Sequence, residues 1–142
     1  MTRTFLDAGI LIAVVRGQAK EAARALAILE DPERCFLTSD VLRIEVLSKA
    51  ISYQRSAGVA LYACYVARDQ SIPVSAALVA HASLEACACG LAALDALHLT
   101  CAKAGGAEEC ITTENPTQPL FRATGMVITP LILPSLKMSY PT

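Results

Sequence analysis

The chain has 142 residues, enough for one domain with a sizeable core. Hydrophobic residues make up 54% and the formal net charge is −1, which excludes a disordered chain and a protein that grips nucleic acid by bulk positive charge. Apolar stretches are broken by charge or Gly well short of the roughly 18 residues that a membrane span needs, so no membrane partner is expected.

In chain order, residues 3–7 read as a short buried strand. Ile10 to Val15 continues apolar and opens a helix or turn after Gly9. Residues 18–30 form an amphipathic helix stopped by Asp31-Pro32. Arg34 to Leu37 is a second strand, and Thr38, Ser39 or Asp40 can cap a helix that runs to about Tyr53. Its apolar positions 41, 42, 44, 46, 47 and 51 cover most of the circumference, so it is expected to be largely buried.

A further helix is predicted from about Ala57 to Asp69, then a short strand or connector at Ile72-Pro73-Val74. Ser75 caps a helix from Ala76 to about Cys87. Gly90 breaks it, and the next helix spans about Leu91 to Ala104, ended by Gly105-Gly106. Strands follow at Glu109–Thr113 and Gly125–Thr129, with a short helix between them. The whole chain, 1–142, reads as a single domain whose stretch 129–142 is a Pro-containing tail. Strands alternating with helices predict an α/β fold with a mostly parallel central sheet. Ligands bind such sheets at the carboxyl ends of the strands.

No basic segment followed by an apolar one opens the chain, so no signal peptide is expected. The six cysteines, at 35, 64, 87, 89, 101 and 110, are expected to be reduced, mostly buried thiols of a cytoplasmic protein. They match no zinc-ligand spacing.

Thirteen carboxylates are present, and most must be ordinary. Those at 21, 30, 31, 33, 69, 108 and 109 lie in polar or turn contexts and are expected to be solvated. Asp40 is a helix-start residue, and Glu85 reads as a partly exposed helix residue, with membership of an acidic site as the alternative. Asp7, Glu45 and Asp95 differ, because each is set among apolar neighbours, and Glu114 follows the strand-like Cys110 to Thr113. Acids are rarely buried unless paired or bound to a metal. Two carboxylates about 5 Å apart repel by roughly 3 kcal/mol at an effective dielectric near 20. If the fold gathers these four, pKa values rise or a divalent cation binds. Oxygen ligands alone suit Mg²⁺ or Mn²⁺, and the chemistry that fits is phosphodiester hydrolysis.

The ordered set resembles the PIN-domain ribonucleases, the fold of VapC-type toxins. Phe5-Leu6-Asp7 with Ile10 to Ala13 is similar to that family's first motif, and Thr38-Ser39 leading to Glu45 to its second. Gly90 to Leu99, containing Asp95, resembles its third acidic helix, and Thr112-Thr113-Glu114 its Thr-x-Asp motif. The resemblance implies a three-layer α/β/α domain and an Mg²⁺ or Mn²⁺ site held by Asp7, Glu45, Asp95 and Glu114. It implies that Thr112 positions water or a ligand. It further implies an RNA substrate, a homodimer and, in toxin members, an antitoxin-type inhibitor protein. Ala8-Gly9 stands where the family usually has Ser or Thr and then Asn or Ser, and Glu114 where Asp is commoner. The alternative is a PIN-like RNA- or protein-binding domain with little or no nuclease activity.

His98 lies three residues after Asp95, within reach of orienting it or touching substrate, but reads first as a packed residue with one satisfied nitrogen. His81 reads as structural. Arg16, Arg43, Lys49, Arg55 and Arg122 are candidate phosphate contacts, most of them expected on an ordinary solvated face. Tyr53, Tyr62 and Tyr65 are expected to pack rather than stack bases. A haloacid-dehalogenase-type phosphatase would require Asp where Gly9 stands.

Overall fold

The computed structural model describes residues 1–16, 19–52 and 70–131. In order these form β1 (Thr2–Leu6), α1 (Ala8–Arg16), α2 (Ala19–Leu29), β2 (Arg34–Ser39), α3 (Asp40–Ser52), β3 (Gln70–Ile72), α4 (Ala76–Cys89), α5 (Ala93–Ala104), β4 (Glu109–Thr112) and β5 (Val127–Pro130). A 3-10 turn at Pro119–Arg122 takes the place expected for the short helix. The helix predicted over 57–69 lies outside the described residues, as does the tail from 132.

The strands make one sheet in the order β3-β2-β1-β4-β5. Every pairing is parallel, so the sheet is fully rather than mostly parallel. Helices cover it in a three-layer α/β/α arrangement. β1 and β4 form the centre, with Leu6 opposite Ile111. Parallel strands buried on both faces read as continuous apolar runs, and Phe5, Leu6, Phe36, Leu37 and Ile111 are all essentially inaccessible. Pro130, which cannot donate to a ladder, sits on the edge strand β5.

Local chemistry fixes the helix ends. Ser39 caps α3, its Oγ accepting the Leu42 N–H at 3.1 Å. Ser75 caps α4 through the Leu78 N–H, also at 3.1 Å. Gly90 closes α4 in the left-handed region at φ 66°, where a side chain is strained. At the end of α5 the left-handed residue is Gly106, at φ 76°, while Gly105 stays right-handed.

Several expectations are corrected. Helix α3 is not largely buried: Leu42 and Val46 enter the core, but Ile44 is 70% exposed. Its apolar residues exceed the width of the face that packs against α1 and α5. Glu109 and Asp31 are not simply solvated. Arg34 donates to both, at 2.8 and 2.7 Å, and the buried Thr4 hydroxyl also donates to Glu109 at 2.8 Å. A buried donor needs an acceptor, and the Glu109 carboxylate is in reach because Thr4 and Glu109 are in register. Glu85 is partnered with Lys103 at 2.7 Å, tying α4 to α5. The described cysteines are free, but only Cys101 and Cys110 are buried, and Cys87 is exposed. No single described helix is long and apolar enough to cross a membrane.

Candidate active site

The crevice is placed by topology. The chain leaves β1 toward β2 on one side, and β4 returns on the other side of β1. The connections therefore diverge at the carboxyl ends of β1 and β4, where open α/β sheets bind ligands. Asp7 is the first residue beyond β1, and Glu114 lies two beyond β4.

Asp7 is held from three directions. Its backbone N–H donates to Ile111 O at 3.0 Å, continuing the β1–β4 ladder. Its Oδ2 accepts the Thr112 hydroxyl at 2.7 Å, and its Oδ1 accepts a long 3.4 Å contact from the Gly9 N–H. It immediately precedes α1, whose N-terminal dipole favours a carboxylate. The Thr112 oxygen in turn accepts the Glu114 N–H at 3.0 Å. One buried hydroxyl thus connects the first acid to the loop carrying the fourth. Thr112 gives its hydroxyl hydrogen to Asp7.

Asp95 sits in the first turn of α5. Burial, and then the negative charges of Asp7 and Glu45, push its carboxyl above the ordinary 3.8, against the opposing pull of His98. Burial, followed by Asp95 and Asp7, likewise raises Glu114 above 4.5. Asp7 acts on both Asp95 and Glu114, Asp95 acts on Glu114, and Glu45 adds its field at Asp95, so the four acids share one electrostatic neighbourhood. Burial, with added repulsion from Asp7, Asp95, Glu109 and Glu114, pushes the Cys110 thiol far up, so it is an inert core residue.

Among the described residues, no group of three or more His, Cys, Asp or Glu side chains is arranged to hold a metal ion by itself. The donor set still fits a hard, water-rich ion, because Mg²⁺ takes one or two carboxylates and keeps several waters. Zinc, whose usual ligands include Cys or His, is the poorer match for an all-oxygen set.

Sequence reasoning missed two contacts. His98 pairs with Glu45 rather than Asp95, Nε2 to Oε2 at 2.7 Å. The two are 53 positions apart, so no helical spacing could reveal it. The second contact explains Ala8-Gly9. A Cβ built on Gly9 would strike the Thr113 hydroxyl and come within 3.2 Å of Thr113 Cβ. The Thr113 side chain thus fills the space that a side chain at position 9 would occupy. Restoring a hydroxyl with Gly9→Ser is expected to lower stability by about 1–2 kcal/mol. Adding Thr113→Ala should recover most of that in denaturant titrations.

The remaining expectations divide. Arg43 and Arg122 are exposed, and Arg122 places its guanidinium against Gly90, at the corner entering the Asp95 helix. Arg16 is exposed at the end of α1, and His81 is exposed on α4. Arg55, Tyr53, Tyr62 and Tyr65, and the side chain of Lys49, fall outside the described residues.

An all-parallel α/β/α sheet with coupled acids at its central carboxyl edge defines a class of acidic-centre α/β proteins. The PIN domain family pattern matches residues 4–118, and the chain belongs to that family. No curated protein sequence matches it. Solved structures share the fold. One is VapBC2 from Rickettsia felis bound to a promoter DNA fragment, with TM-score 0.66 and 12% identity over 91% of this chain and 98% of that one. Another is a toxin–antitoxin complex from Klebsiella pneumoniae, with TM-score 0.61 and 21% identity over 78% and 86%. A third is VapC20 from Mycobacterium tuberculosis, a toxin that cleaves the sarcin-ricin loop, with TM-score 0.58 and 17% identity over 75% and 86%.

Proposed function

We propose that the protein is an Mg²⁺- or Mn²⁺-dependent endoribonuclease that hydrolyses RNA phosphodiester bonds, and that it is the toxin of a toxin–antitoxin pair. The observation that carries this reading is the placement of Asp7 and Glu114 just past the carboxyl ends of the neighbouring strands β1 and β4, with the Asp95 and Glu114 carboxyls raised by burial and then by neighbouring acids. Carboxylates do not gather against their own repulsion without compensation, and a divalent cation supplies it. Perturbed acids in a crevice mark functional sites.

Asp7, Glu45, Asp95 and Glu114 would serve the ion together, one or two of them binding it directly and the others through its waters. When bound, the ion supplies Lewis acidity toward the scissile phosphate and offsets developing negative charge. The chain's own groups orient the parts. Thr112 fixes Asp7 through its hydroxyl bond, and the same oxygen restrains the Glu114 backbone. Arg43 and Arg122, both exposed, are available for RNA phosphates flanking the cut. The relatives in complex with antitoxins support an antitoxin-type inhibitor protein as partner. The exposed apolar residues Ile44 and Leu84 are consistent with burial against that partner or in a homodimer.

The test is cleavage of single-stranded and hairpin RNA by the purified chain. Activity is expected with Mg²⁺ or Mn²⁺, with loss on chelation and recovery when the ion is returned. Cleavage that persists in chelator contradicts the proposal. A second reading, a PIN-like domain that binds RNA or protein without cutting, is favoured by Thr113 packed over Gly9, where the family usually carries a hydrogen-bonding side chain. It predicts that neither ion changes the melting temperature.

A further inference from the structure

His98 stands one turn beyond Asp95 on α5, yet its ring addresses a different acid. Its Nε2 lies 2.7 Å from Glu45 Oε2, bridging α5 to α3. The residue is only 6% exposed. Its ring packs tilted on Phe5, with centroids 5.8 Å apart and planes at 44°. Phe5 belongs to the strand that delivers Asp7. Among the described residues, Nδ1 has no hydrogen-bond partner.

The contact has a direction: an ionised carboxylate only accepts, so toward Glu45 the ring acts as donor through Nε2. A wedged ring with one directed donor leaves one Glu45 oxygen a single preferred place. Without that bond Glu45 loses one of its restraints and has more rotamer freedom to give up when a ligand arrives.

We infer that His98 is a positioning residue that sets the Glu45 carboxylate for a divalent cation held by the acidic group. The inference rests on the nuclease reading above. The ring touches neither ion nor RNA; it acts through Glu45. Partners of this kind, which orient a metal-binding carboxylate, typically change affinity about 10–100-fold when removed. A plain α3–α5 tether would change the melting temperature and leave ion affinity alone.

The chain has no Trp, so Mn²⁺ binding is best read from the electron paramagnetic resonance signal of the free ion. Three proteins are compared: the wild type, His98→Phe, which keeps a ring on Phe5 without a donor, and His98→Gln, which keeps a donor at similar reach. The Phe variant should bind Mn²⁺ about tenfold or more weakly, while the Gln variant stays within about threefold of the wild type. Long-range ¹⁵N spectra of the wild-type ring should show the hydrogen on Nε2, with the pattern altered in Glu45→Gln. Equal Mn²⁺ affinity in wild type and His98→Phe overturns the inference alone. So does a ring with no hydrogen on Nε2, which is readable even if the Phe variant fails to fold. A wild type with no Mn²⁺ affinity overturns the nuclease reading and the inference together.

Discussion

Asp95→Asn is expected to remove most RNA cleavage and to make the ion-free protein more stable. Both effects have one cause. Asp95 is half-buried in the first turn of α5 within the fields of Asp7 and Glu45. In the ion-free protein its charge is a cost, because burial and like charges oppose ionisation. Asn keeps the shape and drops the charge, so stability should rise by up to about 1 kcal/mol after allowance for solvent screening. That is a few degrees in melting temperature. With the ion present the same charge becomes an asset, and its loss should lower cleavage on the order of 10²- to 10³-fold. Parallel melts in chelator and cleavage assays in Mn²⁺ check the pair. A variant that loses both activity and stability would show that Asp95 serves packing rather than ion binding.

Ion-free stability should also fall as pH rises, and a divalent ion should restore it. Folding lifts the Asp95 and Glu114 carboxyls above their ordinary 3.8 and 4.5. Across the window that begins at those values, the folded chain binds more protons than the unfolded one. The slope of stability with pH follows that difference, so this contribution is greatest at acid pH and declines as pH climbs through the raised values. Other carboxylates act in the opposite sense, so the wild type is compared with Asp95→Asn/Glu114→Gln. The two should melt alike near the acid end, and the wild type should fall behind as pH rises. Mn²⁺ at a hundred times its Kd should then stabilise the wild type by about 2.7 kcal/mol, with no comparable gain in the double variant. A gap that does not change with pH would remove the electrostatic basis of the site.

The elements were legible because each carries its own local signal. Apolar runs as short as Phe5-Leu6 and Cys110-Ile111 mark buried parallel strands, and Ser39, Ser75 and Gly90 mark helix ends. The acids stood out for a related reason: Asp7, Glu45 and Asp95 interrupt sequence that is otherwise apolar. What local pattern cannot carry is the pairing of distant side chains. Glu109 looks solvated in sequence and acquires Thr4 and Arg34 only when three strands assemble. His98 is one turn from Asp95 in sequence, yet the crossing of α3 and α5 gives it to Glu45. Gly9 reads as a lost hydroxyl until β4 brings Thr113 over it. Ile44 fits a buried-helix pattern, but the face available on α3 is narrower than its apolar content.

A crystal soaked in Mn²⁺ and measured for anomalous scattering goes most directly to the heart of this account. It should show a peak within bonding distance of Asp7 or Asp95 carboxylate oxygens, with Glu114 adjacent and most remaining ligands water. A map with no peak in that crevice, at an ion concentration that fully supports cleavage, would contradict it.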